Sequence, residues 1–325
     1  MGGGGPLSMT SPDPTQDAAS PDPADAQEAP PPVCVMSFNA SEPSGASGVG
    51  CDIATVAAMG AHALPVVTTI VMRDTAEIFD QTPLDEETVA EQARSILEDV
   101  TLGAWKVGFL GTAENIGAVA EVLSDYPDVP LVSYLPGLSW IDDEDAAQSY
   151  HDAFRELVLP MSEVLVGNQQ TLTHFLLPDW DSERMPSARE LAVAAGEQGC
   201  KYVLVTGVVL PNNFVDNVLA SPQGAITGEK FERFDATFVG AGDTLSAALA
   251  SLLAAGQELH VAVSEALAFL DQSLDAGFRP GMGQIIPDRF FWAAPPAEEG
   301  EEEEAAGGEI LLDPNQTPPN PRNIH

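Results

Sequence analysis

The sequence has few basic residues. Lysine and arginine together number 12 in 325 residues, against 50 aspartates and glutamates, and the formal net charge is −38 at pH 7. A surface with this excess of negative charge repels nucleic acids and anionic membranes. The composition therefore argues against nucleic acid and membrane as partners, and it leaves small molecules and other proteins.

Long apolar runs and paired cysteines are also missing. No apolar run approaches the roughly 20 residues of a membrane span, and the first residues have neither the basic patch nor the apolar core of an export signal. We therefore expect a cytoplasmic protein. The three cysteines, Cys34, Cys51 and Cys200, are far apart and form no C-x-x-C pair. This spacing predicts neither a disulfide framework nor a zinc site, and it indicates reduced thiols in or near the core.

Both ends of the chain contain few large apolar residues. Residues 1–32 are rich in Gly, Pro, Asp, Ala and Ser, and residues 294–325 combine an acidic run with a Pro- and Asn-rich finish. Such compositions cannot bury enough apolar surface to offset the entropy of ordering. We predict a disordered leader over 1–32 and a disordered acidic tail over 294–325 that aids solubility or, alternatively, binds a partner. The folded domain is then 33–293.

Between these ends, short β-rich runs alternate with longer helical runs. The alternation is typical of an α/β fold with a mostly parallel sheet covered by helices. A short turn at 221–224 predicts a hairpin at the sheet edge, because so short a turn cannot join parallel strands. The predicted strands are 33–38, 64–71, 105–109, 130–134, 164–166 and 202–206, with 214–220 and 225–234 in the hairpin. The predicted helices are 49–59, 84–99, 112–124, 142–159, 187–198, 244–255 and 259–276.

One stretch combines glycines with an acid at the start of a predicted helix. Gly240, Ala241 and Gly242 precede Asp243, and a helical run begins at Thr244. The N–H groups at such a helix end bind anions. A carboxylate there would repel a phosphate unless it takes a proton from a hydroxyl that attacks the phosphoryl group. We therefore predict an anion hole over 240–242 with Asp243 as general base. The alternative is that Asp243 only caps the helix.

A second Ser/Gly-rich loop follows the first predicted strand, over residues 39–52. Ligands of α/β proteins collect at such strand ends, so two strand exits of this kind predict a shared site. The alternative is a plain connector, in which Glu42 is a loop acid and Asp52 a capping acid. Neither loop has the spacing of a Walker A or a dinucleotide-binding motif.

Four segments, in order along the chain, match motifs of one enzyme family. Residues 41–48 (SEPSGASG) are similar to S-D-P-S-G-G-A-G, and 106–111 (KVGFLG) are similar to K-I-G-M-L-G. Residues 240–248 (GAGDTLSAA) are similar to G-T-G-C-T-L-S-A-A, with the acid found in ribokinase and pyridoxal kinase relatives. The ending GQIIP at 283–287 is similar to the last ordered turn of the same family. Over 33–293 the sequence thus resembles the hydroxymethylpyrimidine/phosphomethylpyrimidine kinases.

This resemblance implies a ribokinase-like three-layer α/β/α sandwich. It implies transfer of the γ-phosphoryl group of ATP, with Mg²⁺, to hydroxymethylpyrimidine and then to its monophosphate in thiamine biosynthesis, and it suggests a homodimer. It assigns no metal ligand. By the resemblance, the substrate-binding residues are Ala40, Glu42, Arg73 and Gly108, and the nucleotide-binding residues are Asn168, Thr206, Gly207 and Thr244.

The sequence also departs from the family pattern. Arg73 aligns with the family's glutamine that recognises the pyrimidine ring, and Glu42 aligns with its loop aspartate. Residues 133–138 align with its phosphate-binding lysine segment but contain no lysine. The glutamate of its nucleotide motif is absent after Asn168. Metal and backbone amides would then contribute more of the stabilisation of the developing charge on the phosphoryl oxygens. Arg73 is the remaining cation that could enter the site. The alternative is that Arg73 is exposed and pairs with Asp74 or Glu77. Two alternatives stay open: a kinase for a pyridoxal-type or other small alcohol, and a non-catalytic ligand-binding descendant.

Overall fold

The computed structural model describes residues 1–2 and 31–293. The strands are β1 (Cys34–Ser41), β2 (His62–Arg73), β3 (Ile78–Pro83), β4 (Leu102–Val107), β5 (Leu131–Tyr134), β6 (Val164–Asn168), β7 (Tyr202–Leu210), β8 (Phe214–Ser221) and β9 (Gly224–Glu232). The α-helices are α1 (Gly48–Ala58), α2 (Glu86–Leu97), α3 (Ala113–Ser124), α4 (Glu144–Ala153), α5 (Gln169–Leu176), α6 (Ala188–Glu197), α7 (Ala241–Ala254) and α8 (Leu259–Asp275).

The strands form one nine-stranded sheet in the order β3-β2-β1-β4-β5-β6-β7-β8-β9. The central strands from β2 to β7 in this order are parallel, β3 runs antiparallel to β2 at one edge, and β8 and β9 form an antiparallel hairpin at the other. The predicted mostly parallel sheet with an edge hairpin is confirmed. Because the parallel strands point the same way, their carboxyl ends meet at one edge of the sheet, where ligands bind in such folds.

Alternating side chains divide the two faces of the sheet. In β1, Met36 and Phe38 join the apolar core that also contains residues of α2 to α6. Ser37 and Asn39 point to the other face, where both donate hydrogen bonds to Asp52 of α1. Helix α1 packs against α7, and α7 packs against α8. The sheet therefore lies between two helical layers, which confirms the predicted three-layer sandwich.

The structure differs from the predicted elements in four places. Strand β3 was not predicted, because it has few large apolar residues. Helix α5 was not predicted either; it begins directly after β6, where the Asn168 side chain caps it. The predicted helix 142–159 is α-helical only to Ala153 and continues as a π-helical turn and a 3₁₀ turn to Met161, since Pro160 lacks an N–H for a helical hydrogen bond. Helix α7 begins three residues earlier than predicted, at Ala241.

The chain divides into a unit over residues 1–289 and a second unit over 290–325. Of the second unit the structure describes residues 290–293, in which Phe291–Ala293 form a 3₁₀ turn. The predicted leader and tail lie almost entirely outside the described residues, so the predicted domain bounds stay predictions. Over the described ranges, no helix is both long enough and apolar enough to cross a membrane.

Candidate active site

A cavity of about 260 Å³ lies where the loops after the central strands meet the start of α7. This volume is slightly below the usual range of about 300–1,000 Å³ for ligand pockets. Five of the sequence-predicted site residues line it, namely Ala40, Glu42, Arg73, Gly240 and Asp243. The other lining residues are Asn39, Ser47, Gly48, Val71, Ile78, Phe109, Tyr134, Pro136, Gly137, Trp140, Phe238, Val239 and Gln284.

Asp243 is the third residue of α7, and its carboxylate reaches the cavity with only 7% of the residue exposed. Oδ1 accepts a hydrogen bond from Asn39 Nδ2 at 2.8 Å and one from Lys106 Nζ at 2.6 Å. Oδ2 accepts from the backbone N–H of Gly48 at 3.2 Å. The N-cap of α7 is Gly240, so the alternative that Asp243 only caps the helix is wrong. Its carboxylate is instead held at the cavity by groups from three other segments.

Lys106 supplies the positive charge beside this carboxylate. The side chain is fully buried, and Nζ lies 2.9 Å from Oδ1 and 3.0 Å from Oδ2 of Asp52, in addition to its contact with Asp243. Burial by itself would lower the pKa of Lys106, but Asp243 and Asp52 outweigh burial and raise that pKa above its ordinary value. The ammonium therefore stays charged between two carboxylates.

Asp52 is the buried end of this network. It lies inside α1 rather than at its start, so the alternative of a capping acid is wrong. Ser37 and Asn39 donate to its Oδ2, and burial raises its pKa although Lys106 opposes the shift. Asp243 is the member of this network that lines the cavity.

The turn before α7 requires glycine. Gly240 has φ of +84°, in the left-handed region, and a Cβ there would lie 1.7 Å from the backbone oxygen of Ala46. Arg289 holds the same junction: its Nε donates to Thr244 Oγ1 at 3.1 Å and its Nη2 donates to the Ala46 oxygen at 2.5 Å. The first N–H groups of a helix have no acceptor within the helix. Gly240, which immediately precedes these N–H groups in α7, lines the cavity, whereas Ala241 and Gly242 are not among its lining residues.

Glu42 anchors the loop that faces this turn. One carboxylate oxygen accepts from the N–H of Ser44 at 2.6 Å, and the other accepts from the N–H of Ser47 at 2.8 Å. Both oxygens are thus used to fold the loop, even though Glu42 lines the cavity. The described geometry makes Glu42 a loop acid that shapes the site.

The cavity lining also includes aromatic side chains and one cation. Phe109 and Trp140 meet edge to face with ring centroids 5.4 Å apart, and both line the cavity. Arg73 lies half-buried at the end of β2 and also lines the cavity. Gly108 is not among the lining residues; it packs on Asn39, because a Cβ at Gly108 would lie 2.5 Å from the Asn39 amide. The cavity therefore has flat apolar walls suited to a planar ring.

Tyr134 is the last residue of β5 and also lines the cavity. A Cβ at Gly242 would lie 2.3 Å from the Tyr134 ring, so this ring covers the first turn of α7. Lys106 Nζ lies 6.0 Å from the centre of the same ring. Burial raises the pKa of the Tyr134 phenol, which keeps it protonated as a hydrogen-bond donor.

The predicted nucleotide-binding residues lie further along the same sheet edge. Asn168 and Thr206 are paired across β6 and β7, and Gly207 follows with φ of +70°. The Gly207 N–H donates to Asn217 Oδ1, and Asn168 Oδ1 accepts from the N–H of Thr171. The structure brings these three predicted residues together but not into the cavity lining. Thr244 is a buried residue of the first turn of α7, and its Oγ1 accepts a hydrogen bond from Arg289.

Two charged residues of the site were not predicted to act there. Lys106 lies inside a predicted strand, between the buried Trp105 and Val107. A charged side chain in a strand covered on both faces needs a buried partner, and this signal could have identified it. No such signal marks Arg289, which follows the family's last motif in the sequence.

Comparison with known proteins decides the family. The sequence profile described as phosphomethylpyrimidine kinase matches residues 42–288. The hydroxymethylpyrimidine/phosphomethylpyrimidine kinase of Streptomyces coelicolor is 30% identical over 263 residues, which cover 81% of this chain and 96% of that protein. The chain belongs to the phosphomethylpyrimidine kinase family. This confirms the resemblance read from the four motifs.

Solved structures show the ribokinase-like fold. An ADP complex of Bacillus subtilis pyridoxal kinase superposes with a TM-score of 0.71 at 22% identity and covers 80% of this chain and 98% of that one. The phosphomethylpyrimidine kinase of Clostridium difficile 630 superposes with a TM-score of 0.61 at 20% identity and covers 74% and 99%. As a member of the phosphomethylpyrimidine kinase family, this chain is expected to use ATP as phosphoryl donor.

Proposed function

We propose that this protein transfers the γ-phosphoryl group of ATP to hydroxymethylpyrimidine and to its monophosphate, in thiamine biosynthesis. The observation that supports this most strongly is the position of Asp243. Its carboxylate faces a small aromatic cavity, next to the free N–H groups at the start of α7, and is fixed by Lys106, Asn39 and Gly48. This arrangement supports the proposal, because transfer to an alcohol requires a base next to an anion hole.

In the proposed reaction the planar ring packs against the aromatic side chains of the cavity with its hydroxymethyl group toward α7. Asp243 accepts the hydroxyl proton as the oxygen forms a bond to the γ-phosphorus and the bond to the bridging oxygen of ADP breaks. The N–H groups of Ala241 and Gly242, with Gly240 setting their direction, bind the developing charge on the phosphoryl oxygens. The hydroxyl must approach in line with the leaving group, so the fixed carboxylate contributes by positioning as well as by basicity.

Magnesium belongs to this proposal through the nucleotide. No group of three or more metal-binding side chains is present in the described residues. Mg²⁺ does not need such a group, because it is usually held by substrate phosphates, water and at most one or two carboxylates. When bound, Mg²⁺ would neutralise charge on the phosphates of ATP. We assign no residue of this chain as its ligand.

Asp243→Asn tests the proposal. The amide keeps the size of the side chain but cannot take the proton, so we expect turnover of hydroxymethylpyrimidine to fall by about two to four orders of magnitude. The fold should survive, because Lys106 keeps its contacts with Asp52. ADP formation is measured with hydroxymethylpyrimidine, with pyridoxal and without an acceptor.

Asp145→Asn is the matched control, since Asp145 is exposed in α4 and does not line the cavity. Full activity of Asp243→Asn would refute the role of Asp243 as base. Turnover of pyridoxal alone would favour the pyridoxal-type alternative. A wild-type protein that is inert toward every alcohol, yet binds them, would favour the non-catalytic alternative.

A further inference from the structure

The cavity is lined by three charged side chains, Glu42, Arg73 and Asp243. Both carboxylates are already engaged. Glu42 accepts from backbone N–H groups of its own loop, and Asp243 accepts from Lys106, Asn39 and Gly48. Arg73 forms no ion pair with a carboxylate anywhere in the described part of the chain. Arg73 helps to lower the pKa of the neighbouring Asp74, but in the described residues no carboxylate is close enough to the guanidinium for an ion pair.

The contacts of Arg73 leave most of its donors unused. Nε donates to the backbone oxygen of Asp74 at 3.0 Å, which fixes the base of the guanidinium group. Nη1 lies 3.5 Å from Ser47 Oγ, a long contact at the edge of the same cavity. A guanidinium group has five N–H donors and no acceptor. Arg73 can therefore bind an anion or an acceptor on a ligand, but it cannot accept a hydrogen bond from an amino group.

Its neighbours place this charge near the reacting end of the cavity. Ser47, which Nη1 approaches, directly precedes Gly48, whose N–H donates to Asp243. The chain as a whole carries a formal net charge of −38, so its general field repels anionic ligands. Arg73, half-buried in the cavity lining and outside any ion pair in the described residues, is then a local exception that favours an anionic ligand over a neutral one.

We propose that Arg73 reads negative charge on the substrate and makes the site select the phosphate monoester of the pyrimidine alcohol over the free alcohol. The inference rests on the proposed kinase function and adds a specificity-determining residue to it. A free alcohol leaves Arg73 partly desolvated without a counterion, whereas a monoester supplies one. In the monoester reaction, a phosphate oxygen forms the bond to the γ-phosphorus, the bond to the bridging oxygen breaks, and ADP leaves.

The test compares kcat/KM for hydroxymethylpyrimidine and for its monophosphate in wild type, Arg73→Gln and Arg73→Lys. We expect wild type to prefer the monophosphate, and we expect Arg73→Gln to lower the ratio of the two kcat/KM values by about 10- to 100-fold, the range for a hydrogen bond to a charged group. Arg73→Lys should keep most of the ratio, because it keeps the charge. The wild-type ratio should also fall as salt is added, since salt screens a partly exposed charge.

Arg94→Gln is the matched control, because Arg94 is on the surface and pairs with Glu121 at 3.5 Å, away from the cavity lining. It removes the same charge and should leave the ratio unchanged. A ratio that stays within about twofold in Arg73→Gln, or an equal loss for both substrates, would overturn the proposal.

Calorimetric binding of the two compounds without nucleotide separates this inference from the kinase function. If wild type turns over neither compound but binds the monophosphate more tightly, and Arg73→Gln abolishes the difference, the kinase function fails and the charge selection stands. If wild type turns over both compounds but binds them equally well, the charge selection fails and the kinase function stands.

Discussion

Lys106 offers the sharpest test of the buried network. It lies in β4 with no exposed side-chain surface and bridges Asp52 and Asp243 at 2.9 and 2.6 Å. Removing one partner of a buried ion pair typically costs about 3–5 kcal/mol, because a buried charge is left uncompensated. Lys106→Met would leave two carboxylates without their cation, so we expect a loss at the upper end of that range. Domains are stable by only about 5–15 kcal/mol, so the variant should be marginal at pH 7.

The assay is urea unfolding, with Lys201→Met as the matched control. Lys201 also has a 2.6 Å contact, with Glu163, but 66% of its side chain is exposed. Exposed pairs contribute at most about 1 kcal/mol, so the control should lose no more than that. A Lys106→Met protein within about 1 kcal/mol of wild type, or an equal loss in both variants, would refute the reasoning from burial.

The dependence on pH gives a second readout for Lys106→Met. Without the lysine, only the hydrogen bonds from Ser37 and Asn39 oppose the effect of burial on Asp52, so its folded pKa lies further above its unfolded value. A group with a raised folded pKa adds stability that is full below the unfolded pKa and is lost as the pH rises through the folded pKa. The deficit of Lys106→Met should therefore shrink as the pH falls from 7 toward about 4. Adding Asp52→Asn should recover part of the loss at pH 7 and weaken this dependence.

Two further predictions follow from backbone geometry and thiol burial. Gly240→Ala should lower the free energy of unfolding by at least about 2 kcal/mol and remove most of the activity, because the new Cβ meets the Ala46 oxygen. Gly60 has a similar φ of +79° with open space around it, so the control Gly60→Ala should lose only about 1–2 kcal/mol, as measured by urea unfolding. Burial raises the pKa of Cys51 and of Cys200 to about 11. A thiol titration with a colorimetric disulfide reagent at pH 8 should therefore find Cys34 fast and the other two slow until urea is added; three fast thiols would contradict this burial.

Much of the fold could be predicted from the sequence, because its signals are local. The alternation of strands and helices and the short 221–224 turn follow from patterns within a few residues. The anion hole at 240–242 has the same local origin but stays a prediction, since it rests on glycines and an acid that directly precede a predicted helical run. Strand β3 was missed because a short edge strand has no strong pattern of its own, and its pairing with β2 depends on tertiary context.

The partners of Lys106 could not be predicted in the same way. Asp52 and Asp243 lie 54 and 137 positions away from it, and the Ala46 oxygen lies 243 positions from Arg289. Such contacts depend on the order of strands in the sheet, which local periodicity does not determine. The alternation of Trp105, Lys106 and Val107 indicates only that a buried charge needs some partner.

The two substrates of the proposed reaction place different demands on Asp243. A free alcohol must lose a proton to become a good nucleophile, so its phosphorylation depends on a base. A phosphate monoester has a second pKa near 6, so at pH 7 its oxygens are mostly ionised and need no base. Toward the monoester, the carboxylate contributes mainly repulsion, which Lys106 and Arg73 can offset. The loss of two to four orders of magnitude in Asp243→Asn should therefore be confined to the alcohol, with less than about a tenfold loss for the monoester. An equal loss for both would mean that Asp243 acts through the structure of the site, by holding Lys106 and the start of α7, and not by accepting a proton.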